Sequence, residues 1–395
     1  MVFIALLSAY ILSQFFRVFL GVIAGTLTRE LGLNAAELGA VSAIWFATFS
    51  IAQFPVGFLL DRFGPRRTVG GLLMVAVIGG GWFALANSYT DCLVGMALIG
   101  IGCSPVLMGS LFVFGRTAPP ERFAMLASLM IGLGSFGNLI SSSPLAWGVE
   151  HYGWRMSLAV IVLLTGLSAA FILTMLKDPP TIVTVEPSSG LWDGIKRICT
   201  LRGLWPLMPL TLISYAVVVA TRSLWITPFF RDLHGADLRE LGLIALMMSI
   251  AMTLGALGYG PIERWSGSPR RTTLWGSVIT GVSFVVLGLI GPHNLIVALV
   301  SLSIIGGAGL TYGILMSHAK FFIPPDVLGR GITFLNFLFI AGAGLIQYGS
   351  GQLVQSMLDL GSEPVLAYSK LFMMFGLLLL ASTAIYLRSR ERPDQ

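Results

Sequence analysis

The stretch "GFLLDRFGPRRT", residues 57–68, packs one acid, one glycine–proline step and three arginines between two long apolar runs. Before it lies "VSAIWFATFSIAQFPVGFLL" (41–60) and after it "VGGLLMVAVIGGGWFALA" (69–86). Each run is near the ~20 residues that a helix needs to cross the hydrocarbon core of a bilayer. The charged stretch therefore reads as a tight turn at a membrane face. Working outward, the same pattern of apolar run and polar turn recurs along all 395 residues. Twelve segments qualify, near 3–28, 37–60, 68–88, 92–115, 124–148, 154–176, 204–230, 240–261, 272–291, 294–318, 328–354 and 366–387. A chain that is 55% hydrophobic, 11% charged and +0.86 in mean hydropathy falls outside the range of soluble domains.

The net charge of +6 does not point to a polyanion partner. With the N-terminus in the cytoplasm, 17 of the 24 Lys and Arg fall on the cytoplasmic side, five fall outside, and Arg17 and Arg222 lie within the membrane. That excess is the positive-inside bias, and no nucleic-acid motif accompanies it. Segment 1 is not a convincing signal peptide, since no Lys or Arg precedes it and Arg17 interrupts it. Cys92, Cys103 and Cys199 have neither disulfide nor metal spacing, and no N-x-[ST] sequon occurs. A bacterial inner membrane is compatible with all of this.

The chain repeats itself at an offset of about 205 residues. "SAYILSQFFR" aligns with "ISYAVVVATR", so Tyr10 falls on Tyr215 and Arg17 on Arg222. "DRFGPRRT" (61–68) aligns with "ERWSGSPRRT" (263–272), and "PPER" (119–122) with "PPDV" (324–327). Two six-helix halves, 1–176 and 204–395, follow, both termini cytoplasmic. Between them, 177–203 reads as a polar linker in which Trp192, Ile195 and Cys199 form one stripe opposite Asp193, Lys196 and Arg197. That spacing predicts a short helix at the membrane surface.

Twelve helices in two repeats, with Gly57, Asp61, Arg62, Gly64, Arg66 and Arg67 in a G-x-x-x-D-[RK]-x-G turn followed by basic residues, resemble the major facilitator superfamily of secondary transporters. The resemblance covers nearly the whole chain. It implies an all-α membrane fold, function as a transporter with no enzymatic activity, and a latch on the cytoplasmic side in which Asp61 meets a helix N-terminus of the other half. Glu263, Arg264, Arg270 and Arg271 form the degenerate second copy of that gating turn. Two family patterns are departed from. Met96 stands where many proton-coupled members carry an arginine, and "LISSSPLAWG" (139–148) keeps only Pro144 and Gly148 of the helix-5 pattern of drug exporters.

A buried arginine costs roughly 3 kcal/mol on insertion scales, so two of them require a partner. All 18 acidic residues map to loops or segment ends, none to mid-membrane depth. The family resemblance places segments 1 and 7 across a central cavity. Two guanidinium groups brought within about 8 Å there would repel by around 2 kcal/mol at an effective dielectric near 20. An anion between them relieves this, and the guanidinium fork suits carboxylate or phosphate oxygens. The arginine pair also resembles that of the organophosphate and phosphate exchangers of the superfamily.

Tyr10, Gln14, Tyr215 and Trp225 lie at helical spacing from the arginines, and Asn138, Tyr312, Asn336 and Gln347 are further polar candidates in other segments. Their competing role is to bond helix to helix. His318, near the inner end of segment 10, is the one candidate for a titrating group; its alternative is an interfacial histidine. The expected function is transport of a small organic anion, carboxylate- or phosphate-bearing, by rocking of two halves, with no cofactor and no metal, as a monomer in the lipid bilayer. The alternatives are a proton-driven exporter of neutral or cationic compounds and a transporter-like receptor or scaffold.

Overall fold

A computed structural model describes residues 2–117, 126, 129–176, 198, 200–324 and 328–391 of the chain. The predicted linker helix with Trp192, Ile195 and Cys199, and the paired turns at 119–122 and 325–327, lie outside the described residues, as does the side chain of Asp61. Among the described residues the structure is helical throughout, without strands.

The first half runs α1 (Val2–Val18), α2 (Leu20–Leu31), α3 (Ala35–Leu60), α4 (Arg62–Ala84), α5 (Tyr89–Cys103), α6 (Pro105–Thr117), the short α7 (Phe136–Ile140) and α8 (Ser143–Met175). The second runs α9 (Leu207–Ala220), a π-helical turn at Thr221–Trp225, α10 (Ile226–His234), α11 (Leu238–Ser266), α12 (Pro269–Leu289), α13 (Leu295–Gly309), α14 (Tyr312–Ala319), α15 (Leu328–Asp359) and α16 (Pro364–Tyr386). Ten helical stretches are long and apolar enough to cross a membrane, and α1 with α2, bent by 47°, makes an eleventh. One of the ten, Leu129–Met175, has 47 residues, about twice a single crossing, and turns at Gly153 (φ 78°, ψ 161°). Against the twelve segments expected from the sequence, the described residues thus give ten or eleven such stretches, one of them long enough for two crossings, with segment 1 split by the bend that follows Arg17.

The repeat is visible in how the helices are ended and started. Gly32 closes α2 at φ 68° and Gly235 closes α10 at φ 67°, the left-handed conformation that a residue with a Cβ resists. Two residues later, Asn34 and Glu37 exchange hydrogen bonds of 2.9 Å between side chain and backbone, and Asp237 and Glu240 do the same at 2.8 and 2.9 Å. Each pair satisfies orphan N–H groups at a helix start. The shared text is G-x-[ND]-x-x-E-L-G, at 32–39 and 235–242, a copy of the repeat that the longer alignments had not included.

The chain separates into two compact units. The first comprises α1–α8 together with Arg222–Arg231 and Gly235–Leu246. In it α1 packs on α7 and α8, while the Ala35–Ala84 run, turned at Gly64, packs on α5 and α8. Its core holds Phe15, Phe16, Phe19, Trp45, Phe83 and Trp154, each nearly inaccessible. The second unit comprises α9, Asp232–His234, α11 from Met247 onward, and α12–α16. There α9 packs on α15 and α16, and α12 on α13 and α16.

Candidate functional site

Arg17 sits at the C-terminal end of α1, one residue before the bend, and is part-exposed while Leu12–Phe16 and Val18–Leu20 on either side are buried. Its Cζ lies 5.4 Å from the ring centre of Trp45 and 5.5 Å from that of Phe49. Those two rings come from α3, four residues apart, and stack at 4.9 Å with 24° between their planes. The guanidinium is therefore held by an aromatic shelf, a cation–π contact in a desolvated setting. One turn back on α1, Gln14 Nε2 donates to Tyr10 Oη at 3.2 Å, as the spacing of four predicts. Gln14 Oε1 and Trp45 Nε1 are buried and make no hydrogen bond among the described residues.

Arg222 has a different environment. It is 1% exposed and lies in the π-helical turn, whose widened backbone interrupts the span seven residues after Tyr215. Its Nη2 donates to the carbonyl of Asn138 at 3.2 Å, to Ser141 Oγ at 3.3 Å and to Ser142 Oγ at 2.6 Å. These acceptors stand where α7 stops and α8 has not begun, at "SSSP", a break that frees backbone carbonyls. Both serines in turn donate to the Asn138 carbonyl, at 2.9 and 2.7 Å. Asn138 thus enters this network through its backbone oxygen, whereas its sequence reading had put forward the side-chain amide. The backbone at Arg222 is also confined: a Cβ on Gly21 of α2 would stand 2.6 Å from the Arg222 carbonyl oxygen and 2.9 Å from the Ser223 carbonyl carbon. Thr227 Oγ1 donates to the Gly21 carbonyl. Trp225, at the end of the same turn, is fully buried.

In the second unit Tyr312 Oη donates to Asn336 Oδ1 at 3.0 Å, and Phe339 meets Tyr312 at 4.5 Å and Tyr215 at 6.2 Å between ring centres. Tyr215, Tyr312 and Asn336 are thereby brought into one cluster around Phe339. Gln347 is completely buried. The participants that the sequence reading missed are Trp45, Phe49, Ser141, Ser142 and Phe339. The i, i+4 aromatic pair on α3 was the available signal for the first two. Short serines in an apolar span carry little signal on their own.

The turn residues have separable roles. Gly64 (φ 77°, ψ 163°) breaks the Ala35–Ala84 run, two residues into α4. Arg66 Nε donates to the Leu173 carbonyl at 2.5 Å, near the end of α8, and Arg270 Nη2 donates to the Leu387 carbonyl at 2.7 Å, just past α16. Repeat-related arginines thus cap the last helix of their own half, where carbonyls are unpaired and the helix dipole is negative. Arg62 lies over Phe58 and Phe63 at 5.7 and 5.5 Å, and Ser317 Oγ approaches Glu263 Oε1 at 3.5 Å. Gly57, Arg67, Arg264 and Arg271 are exposed.

His318 is completely buried, with Nδ1 2.6 Å from Tyr386 Oη and Nε2 2.9 Å from the Arg390 carbonyl. A carbonyl only accepts, so Nε2 carries a proton, while Nδ1 accepts from the tyrosine in the neutral ring and donates to it in the charged one. Both ring nitrogens have partners, which ties α14 to α16 and the chain that follows it. Among the described residues no group of His, Cys, Asp and Glu is arranged to hold a metal ion. Each described acid lies within about a turn of a helix end or chain break, the placement its charge requires.

The family model of the Major Facilitator Superfamily matches residues 6–347. The chain is 25% identical over 390 residues to the hexuronate transporter of Escherichia coli K12, covering 90% of this chain and 87% of the relative. It is 23% identical over 405 residues to the gentisate transporter of Corynebacterium glutamicum, covering 95% and 86%. Among solved structures, an inward-facing, occupied bacterial homologue of the human lysosomal transporter Spinster superposes with a TM-score of 0.80 at 17% identity, covering 98% of this chain and 96% of that one. The all-helical architecture, the repeat-related arginines at two helix irregularities and the match along most of the chain meet in one conclusion: this is a multi-pass membrane transporter that belongs to the Major Facilitator Superfamily.

Proposed function

We propose that this transporter moves a small organic anion, carboxylate- or phosphate-bearing, across a bacterial inner membrane by alternating access. The observation that carries the reading is Arg17: a part-exposed guanidinium on an aromatic shelf, inside an otherwise buried apolar stretch, in a protein whose described acids stay near helix ends. A charge kept at that depth needs a counter-charge, and a substrate carboxylate or phosphate supplies it with matched fork geometry. The names of two relatives, a hexuronate and a gentisate transporter, fit an anionic cargo. Tyr10 and Gln14, hydrogen-bonded to each other on the helix of Arg17, are the neighbours proposed to line the anion site, while Tyr215, Tyr312 and Asn336 form a polar cluster of their own in the second unit. Exchange of one anion for another, or movement down a gradient, needs no carboxylate proton carrier, and the described acids all lie near helix ends or chain breaks.

Asp61 is the latch of the cytoplasmic side in this proposal, and in each half an arginine of the same turn caps the end of the last helix, at Leu173 and at Leu387. The test is uptake of radiolabelled hexuronate and gentisate by proteoliposomes, with unlabelled anions, neutral sugars and cations as competitors. Saturable uptake that only anions inhibit, and that Arg17→Gln reduces at least tenfold, is the expected result. Inhibition by cations or neutral compounds alone would overturn the anionic reading, and ligand binding without uptake would make the protein a receptor.

A further inference from the structure

The two repeat-related arginines are alike in sequence but not in surroundings, and the difference assigns them different work. Arg17 is part-exposed and rests against the rings of Trp45 and Phe49. Arg222 is 1% exposed, and its Nη2 alone reaches three oxygens, all from the five residues 138–142. Those oxygens are neutral, so they are not a counter-ion. What they have in common is the broken point between α7 and α8, where the chain leaves one helix and starts another.

The break is closed chemically as well as geometrically. Each serine hydroxyl has one proton and gives it to the Asn138 carbonyl. Their oxygens in turn accept from Arg222 Nη2, so guanidinium, hydroxyls and carbonyl are bonded to one another at the break. Behind the side chain, the backbone of the π-helical turn is pressed on Gly21 of α2, and Thr227 fastens the same place. α7, which ends in the network, packs on α1, the helix that carries Arg17. Arg222 thereby joins the π turn, the helix break and, through α7, the wall behind the anion-binding arginine.

We propose that Arg222 is a positioning residue whose hydrogen bonds to Asn138, Ser141 and Ser142 fix the break between α7 and α8, while Arg17 alone makes the direct contact to the anion. This rests on the anion reading above and refines it: the pair is one ligand-binding arginine and one arginine that shapes the helix beside it. Loss of Arg17 then weakens binding. Loss of the Arg222 network leaves binding and slows the conformational cycle, because the break no longer holds one geometry.

The experiment measures equilibrium binding of gentisate and of a hexuronate to purified protein, alongside turnover in proteoliposomes, for four forms: wild type, Arg17→Lys, Arg222→Lys, and Ser141→Ala with Ser142→Ala. Arg17→Lys is expected to raise Kd at least tenfold. Arg222→Lys and the double serine variant are expected to hold Kd within about threefold of wild type and to lower turnover at least tenfold. The serine variant leaves both arginines in place, so it reads the network even where a change at Arg222 impairs folding. A Kd increase in Arg222→Lys as large as in Arg17→Lys, or wild-type turnover in the double serine variant, would overturn the division of roles. Failure of wild-type protein to bind or move any anion would instead overturn the anion reading itself, and this inference with it.

Discussion

At the scale of single residues, charge inside a span is tolerated here by two different means. Arg17 is stabilised by ring faces, a contact worth about 0.5 kcal/mol when exposed and ~2 kcal/mol or more when desolvated. Trp45 is fully buried and Phe49 nearly so, which places the contact toward the upper end. Trp45→Leu is therefore expected to weaken anion binding roughly 10-fold, since 1.4 kcal/mol is one decade in affinity. Trp45→Phe, which keeps a ring face, should lose less than threefold. Binding titrations of the two variants decide it; equal losses would mean that ring volume alone, and not the π face, supports Arg17. An exposed ion pair is the opposite case. Arg155 meets Glu30 at 2.8 Å, but both side chains are over 40% exposed, so the pair contributes at most about 1 kcal/mol.

At the scale of elements, the helix ends and close approaches carry the argument. Arg66 and Arg270 each donate to a carbonyl at the end of the last helix of their half. Such charge-assisted caps contribute on the order of 1–2 kcal/mol. Arg66→Ala and Arg270→Ala should each lower the thermal midpoint of the detergent-solubilised protein by a few degrees while leaving anion Kd unchanged, measurable by a thiol-reactive unfolding assay. An unchanged midpoint in both would show the caps to be dispensable. The second element is the contact of α2 with the Arg222 turn. Gly21 leaves no room for a side chain there, so Gly21→Val must push the two apart. Reduced turnover together with greater labelling of cysteines placed on residues 223–227 is expected; wild-type behaviour in both measurements would show that this close approach is not used in the cycle.

At the scale of the whole molecule, membership of the superfamily sets the expectation that each half moves as a body. Asp61, at the junction of α3 and α4, is the residue through which that motion is most directly tested. Asp61→Asn is expected to favour the inward-open state, raising the labelling rate of single cysteines on the cytoplasmic side several-fold and lowering transport. Unchanged labelling with unchanged transport would remove the latch role. The variant keeps size, removes the charge and turns one accepting oxygen into a donating NH2, so the outcome reports the charge and acceptor capacity of the latch together.

Hydropathy and the "DRFGPRRT" turn with its second copy determined the all-helical membrane class and the internal repeat from the sequence itself, because a bilayer imposes length and polarity on each segment independently of its neighbours. The pairing of Tyr10 with Gln14 was legible for the same reason, being local to one helix. What only the tertiary structure decided was which groups each arginine meets. Arg17 and Arg222 are equivalent by repeat, and nothing in their own segments distinguishes them. The shelf of Trp45 and Phe49 comes from α3, and the serine network from the break before α8, both remote in sequence. His318 likewise read as either a titrating group or an interfacial histidine, and its partners, Tyr386 and the Arg390 carbonyl, lie roughly 70 residues away. A side chain's chemistry in a membrane core is set by the few polar groups within reach, and helix packing chooses them.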